Sequence, residues 1–492
     1  MNVRYRASCA AIAASLGIPA AQAVSLNPDG LGQALIFPYY TAQSSNGDPF
    51  NTFLQIVNPS MDAKALRVRF CEARASKEVL AFNLFLAAKD AWAGAVVPSG
   101  AGAELIVADT SCMDPAAPAT SRMPFRADRY AGDGNGDGIE RANEGFVEVL
   151  EMATLTGDSA AGVFITSRGI PGDCSRVIGE ASPTVGPPSG SLSGSLTLIN
   201  VASGMDFTLD ADALDDLART PYYRRASDPY PDFNAAEIDP VSVVVRRRAV
   251  YRSTWPRAVD AVSAVLMRET AIGELVVDES TRSRTDLVMT FPTRHFYAGA
   301  TTAAKPFSAP ARWQADCGPQ TGPKVGERLF ISVADRNSRE IPTWGDCEFA
   351  TCPPSFPSPS MCAASAIVSL AGWWNQTPSL DKARTVLASL TRGYTAGTYP
   401  AGVLPVTPLL QQSGWTRLRT DESATMTSLP TSTRTDVSTG EVATGAHTFR
   451  GLPITGFTVR TFENGTLRCG AGACQGNYGG AFPFKYGRNI GP

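Results

Sequence analysis

Two histidines, His295 and His447, are all that the 492 residues contain. Histidine is the side chain that changes charge near neutral pH and the commonest metal ligand, so its scarcity takes away the usual general bases and zinc sites. Charge is sparse as well: Asp, Glu, Lys and Arg make up 18% of the chain and leave a formal net charge of −3. Nothing global draws such a chain to nucleic acid or to an anionic membrane surface. No stretch of the expected mature chain approaches the roughly 18 uninterrupted apolar residues of a membrane-spanning helix. No repeat of fixed period is visible, which excludes propellers and solenoids. The sequence also lacks H-E-x-x-H, a G-x-S-x-G elbow, a Walker loop and a G-x-G-x-x-G after a strand, so no enzyme activity is expected.

What is present is a turn-rich globular composition, with 43% hydrophobic residues, 44 Gly and 36 Pro. The length exceeds what one core normally supports, so several domains are expected. Arg4 and Arg6 precede an apolar stretch, 7–21, that ends in Ala21-Gln22-Ala23. This reads as a signal peptide, 1–23, cleaved before Val24. The expected location is therefore secreted, extracellular or on the cell surface of a bacterium. Nine cysteines lie beyond the signal, several of them in Gly/Pro-rich loops where a crosslink restrains the chain. Cys469 with Cys474 is a natural local pair, and Cys112 with Cys174 closes the ends of a loop-rich segment. Cys317, Cys347, Cys352 and Cys362 leave three pairings open. Cys71 remains as a buried free thiol.

Short runs of alternating polarity dominate the rest. In 63–70, Leu66, Val68 and Phe70 alternate with Arg67 and Arg69, the pattern of a sheet with one buried and one charged face. The fold class expected is mainly β: Ig-like antiparallel β-sandwich modules with long loops and few short helices. The divisions read as an Ig-like β-sandwich at 24–110, a loop-rich insertion at 111–190, a second β region at 191–335, a Cys/Pro-rich linker at 336–365 and a C-terminal β region at 366–492. A strand is expected at 261–267, and short helices at 211–218 and 380–391. Glu148/Glu151 and Asp215/Asp216 read as ordinary solvated carboxylates. The basic run Arg246 to Arg248, with Arg252, Arg257, Tyr251 and Trp255, reads as a solvated or interacting edge.

One segment carries recognisable chemistry. Residues 133–144 fit the calcium-loop template D-x-[DN]-x-[DN]-G-x5-E. Asp133, Asn135 and Asp137 offer oxygens at alternate positions, Gly138 makes the sharp turn, Ile139 adds a backbone carbonyl and Glu144 closes the shell. The resemblance is to a calcium loop like those of dockerins and other extracellular proteins, and the expected cofactor is a structural calcium ion.

The segments NTFLQIVNPS at 51–60, RVRF at 67–70 and EVLAFNLFL at 78–86, together with Trp92, 262–293 and 477–490, resemble a group of uncharacterised exported bacterial surface proteins. The resemblance implies an exported protein of Ig-like architecture without an assigned activity. The function expected is an extracellular structural or adhesive surface protein, a candidate fibre subunit that self-associates or joins other surface proteins. Its apolar arm 31–40, with Leu31, Leu35, Phe37 and Tyr39, is the strand it would lend to a neighbour. The alternative is a secreted carbohydrate binder or hydrolase using loop carboxylates and aromatics such as Trp373 and Trp374, with a glycan as partner.

Overall fold

The computed structural model describes residues 23–45, 47–118, 120–179, 182–229, 231–278, 280–313, 326–337, 340–341, 360–371, 385–391, 403–405, 413–469 and 472–492. Residues 45, 340–341, 371, 403–405, 464–469 and 472–475 are described by backbone alone. The fold is mainly β, built of several antiparallel sheets; the parallel strand pair joins Ser365–Ala371 to Val403–Pro405. The first sandwich faces an eight-stranded sheet against a six-stranded one. Alternation drives this directly: in Asn51–Asn58, Thr52, Leu54 and Ile56 turn inward while Phe53 and Gln55 turn out. Leu35, Phe37, Leu54, Ile56, Val68 and Trp92 share the core between the two sheets.

The sheet order redraws the expected divisions. Strand Glu144–Leu155 lies between Ala34–Thr41 and Ala63–Glu72 at the centre of the large sheet, so 111–190 is an integral part of the first sandwich and not an insertion. Ser193–Asn200, Met205–Asp210 and Asp212–Asp215 also belong to it. The short helix expected at 211–218 is therefore replaced by a strand, which pairs with Ala34–Thr41. That pairing also gives the proposed arm a place at home. Leu35, Phe37 and Tyr39 are fully buried in a strand hydrogen-bonded on both edges by the same chain, and Leu31 is half-buried just before it.

A second pair of sheets follows. One runs through Glu327–Asp335, Ser413–Thr420, Thr270–Val276 and Lys485–Gly487, the other through Ser365–Ala371, Arg284–Thr290, Thr455–Cys469 and Gly472–Pro483. Val288, Ile367, Phe457 and Val459 from this half join the same core as Phe37 and Leu196 from the first, so apolar packing is continuous across the junction. The strand expected at 261–267 is instead part of helix Ala258–Leu266, all nine residues of which are buried. Burial on every side erases the apolar/polar period that distinguishes helix from strand, and Val-rich sequence then reads as β. Arg268 and Arg488 donate to the carbonyls of Val265 and Met267, and Arg488 also to Ala264, so two cations close the negative end of the helix. Of the helix expected at 380–391, residues 385–391 are turn and irregular backbone, and the remainder lies outside the described residues.

The outer face of the large sheet is also covered, contrary to the expectation of a solvated charged face. Lys64, Arg67, Arg69, Glu148 and Glu151 are all buried. Lys64 Nζ lies 2.7 Å from Glu151 Oε1, both side chains fully inaccessible, and the backbone N–H groups of Ser189 and Gly190 donate to the same carboxylate. A loop 38 residues further on thus seals the pair. Asp215 remains half-buried beside it. Removing one member of such a pair leaves a buried charge uncompensated. Lys64→Met should therefore cost roughly 3–5 kcal/mol in urea unfolding, with part of it recovered in Lys64→Met/Glu151→Gln, where no charge is left buried and the amide oxygen still accepts one of the two N–H groups.

Candidate functional site

The twelve residues 133–144 wrap a cation that the chain itself supplies. Arg141 lies on the 3-10 turn Ile139–Asn143, which delivers its side chain inward with no exposed surface. Its Nε and Nη2 donate to the two oxygens of Glu72 at 2.8 and 2.9 Å, and Nη1 and Nη2 donate to the two oxygens of Asp133 at 2.7 Å each. Nη1 also donates to the carbonyl of Gly136 at 3.0 Å. All five N–H groups of the guanidinium are used, and its face rests on the ring of Tyr130 at 4.4 Å. Burial alone would lower the Arg141 pKa, but Asp133 and Glu72 outweigh it and raise it. For Asp133 burial works upward, and the hydrogen bonds from Arg141 and the Asn135 backbone hold the carboxyl below its ordinary value.

The other expected ligands face elsewhere. Glu144 turns away from the loop into the core, where its carboxylate accepts from Tyr39 Oη at 2.7 Å, Ser389 Oγ at 2.6 Å and the N–H groups of Leu390 and Thr391. Asn135 Oδ1 accepts from Trp313 N at 2.7 Å, and Asp137 Oδ1 accepts from Gly132 N at 2.9 Å. Gly138 has φ −63° and ψ 141°, which any residue adopts; the left-handed turns are made by Gly132, Gly134 and Gly136. At Gly136 a Cβ would also stand 2.5 Å from Arg74 Nη1. The side chain of Ile139 is exposed. The side chains of Asp133, Asn135, Asp137 and Glu144 thus turn to different partners, and among the described residues no group of three or more His, Cys, Asp or Glu is placed to hold a metal ion. The template match could not reveal this, because Glu72, the main partner of Arg141, lies 69 residues away.

The loop nevertheless sits where the halves of the chain meet. Arg74 donates to Asn135 O at 2.9 Å and stacks on Trp313 with its guanidinium carbon 3.6 Å from the ring centre. Backbone bonds from Ala364 and Ser365 to Arg74 and Ala73 continue the seam, and Glu144 anchors 389–391. Sequence reasoning missed Glu72, Arg74 and Arg141; the one local signal was an unusual Arg inside an acidic loop.

The remaining expected residues are dispersed. Cys112 and Cys174 are bonded, across a separation of 62 residues. Cys362 is also disulfide-bonded, while Cys317, Cys347, Cys352, Trp373 and Trp374 lie outside the described residues. Cys469 and Cys474 lie on paired strands described by backbone, with Cys474 opposite Leu467. Cys71 is a free thiol packed against Phe146 and Ala364. His447 packs edge-on against Tyr251. Burial, and after it Arg69, pushes His295 down to about 3, leaving a neutral ring against Phe296. The basic run Arg246 to Arg248 spans a hairpin turn, with Arg247 at φ 54°.

No protein family, no curated protein and no solved structure matches the chain.

Two outcomes test this electrostatic arrangement. Arg141→Met should lower stability by roughly 3–5 kcal/mol, since it leaves Glu72 and Asp133 facing each other unpaired, while adding calcium or a chelator to the wild type should leave its melting temperature unchanged. A calcium-dependent rise would place an ion in the loop after all. The second concerns Glu148, whose pKa burial raises from 4.5 to about 7, against the pull of Arg69 and with Asp232 and Glu78 adding to the rise. The folded state keeps a proton that the unfolded chain releases, so this contribution is full below about pH 4.5 and disappears as the pH climbs through 7. Relative to Glu148→Gln, the wild type should lose up to about 3 kcal/mol across that window in urea titrations. His295 titrates in the opposite sense in both proteins and cancels; a pH-independent difference would refute the assignment.

Proposed function

We propose that this chain is an exported structural or adhesive protein of a bacterial surface, whose work is done by a rigid β framework. The observation that carries the reading is the Cys112–Cys174 bridge, joined by the disulfide at Cys362. Such bonds persist in oxidising compartments and are rare in a reducing cytosol. Val24, the first residue of the expected mature chain, is already inside the fold and donates its N–H to Val241 O at 2.9 Å. A chain starting there keeps that bond.

Association with further copies or with other surface proteins uses an open edge, because Ala34–Thr41 is needed in its own sheet. The Gly472–Pro483 strand ends the five-stranded sheet; it packs on Met205–Asp210, with Gly479 against Phe207 and Asn477 donating to Ser203 O, and it exposes Tyr478 and Phe482. The part of this edge that Met205–Asp210 leaves uncovered is a template for strand addition, and lysine is the usual device for blunting one.

Fractionation of the native host followed by N-terminal sequencing should find the chain outside the cytoplasm and beginning at Val24; a cytoplasmic, uncleaved chain would refute the reading. In sedimentation velocity the mature protein should self-associate, and Tyr478→Lys/Phe482→Lys should weaken that association at least tenfold. Replacing Cys112 and Cys174 together by Ser should cost up to about 4 kcal/mol, the loop-closure value for a crosslink of this span.

A further inference from the structure

The buried arginines of strand Ala63–Glu72 form one wall of a cleft of about 440 Å³. Its floor is the start of strand Glu78–Leu86, and its other walls are the 226–229 loop and the turn that carries Arg126 and Arg129. Four arginines, Arg67, Arg69, Arg126 and Arg129, line it together with two acids, Glu78 and Asp228. Two further acids, Glu148 and Asp128, pair with Arg69 and Arg126 from outside the lining.

The arginines are not equally compensated. Arg69 is matched by Glu78 and Glu148 at 2.9 and 2.8 Å. Arg67 is less exposed still, yet its closest carboxylate, Glu78, is 4.0 Å away. Its donors go to the side-chain oxygen of Asn83 and the carbonyls of Ala226 and Asp228, at 3.1 to 3.2 Å. Its Nε is buried with no partner among the described residues. A buried cation held by neutral acceptors and a distant charge is undercompensated, and an incoming anion relieves it. At the rim, Arg126 is held by Asp128 through Nε and Nη2, leaving Nη1 open. Arg129 is exposed, and its guanidinium has no hydrogen bond or ion pair among the described residues.

We propose that this cleft binds an acidic sugar unit, a uronate, through its carboxylate. The planar forks of arginine fit a carboxylate oxygen pair. Glu78 and Asp228 would repel a dianion such as phosphate but accept hydrogen bonds from the hydroxyls of a sugar ring. The volume lies within the range of sites that enclose one small ligand. The inference rests on the cleft alone and does not depend on the surface role proposed above.

Isothermal titration of the mature, disulfide-intact chain tests it, with D-galacturonate, D-galactose, inorganic phosphate and a galacturonate trimer as probes. Galacturonate should bind at least tenfold more tightly than galactose, and more weakly as salt is raised. Arg126→Gln and Arg129→Gln, both at exposed positions, should each weaken it several-fold with no change in melting temperature. Arg67→Lys keeps the charge but not the fork, and should weaken binding while the far-ultraviolet spectrum is retained. A trimer that binds more tightly than the monomer identifies a glycan chain as the source; equal binding identifies a free sugar acid or a chain end. Equal affinity for galactose, displacement of galacturonate by equimolar phosphate, unchanged binding in both rim variants, or no binding at all would overturn the proposal.

Discussion

The guanidinium of Arg141, buried with all five donors used, is the interaction on which the middle of this molecule depends. A buried cation is tolerable only when its charge is paired and its hydrogen bonds are made. Glu72 meets both conditions, and its own oxygens also accept the backbone N–H groups of Arg74, Ala75 and Lys77. One carboxylate thereby orders the turn after strand Ala63–Glu72, while Asp133 on the other side orders the acidic loop. Arg74 then extends from that turn to Trp313, and Ala364 and Ser365 pair with its backbone. The contact between the two halves is thus organised outward from one satisfied charge.

The same device recurs wherever segments distant in sequence meet. Lys64 and Glu151 hold the 187–190 loop on the large sheet, and Glu144 and Asp286 each receive N–H groups from 385–391. Arg294, fully buried, donates to the carbonyls of Cys362 and Pro310. Buried ion pairs contribute little net stability compared with apolar packing, but breaking one is costly, so they discriminate strongly between one docking of segments and its alternatives. One docking of the segments is thereby favoured over others. Pairing also explains how a chain with so few charged residues places a large share of them inside.

Arg67 shares with Arg74, Arg268 and Arg294 the state of a buried guanidinium that has no close carboxylate and whose Nε has no partner among the described residues. What sets Arg67 apart is its place on the wall of a cleft, where a ligand can complete the set.

The β class, the alternating strand at 63–70, the 112–174 bridge and the isolation of Cys71 are legible in the sequence, because alternation, turn residues and cysteine spacing are local signals. The acidic loop was legible as a cation-binding pattern, but not the identity of the cation: Arg141 meets Glu72 only when the chain has folded. Nor did sequence reveal that the charged side of Ala63–Glu72 is covered, because the covering groups come from the 187–190 and 224–228 segments. Helix Ala258–Leu266 was misread since it has no exposed face to set a period. The sequence by itself determined which stretches are extended and where the chain turns, through the two-residue alternation of strands. The tertiary structure alone decided which charges are buried together, because those pairings join residues tens to hundreds of positions apart and no local pattern encodes them.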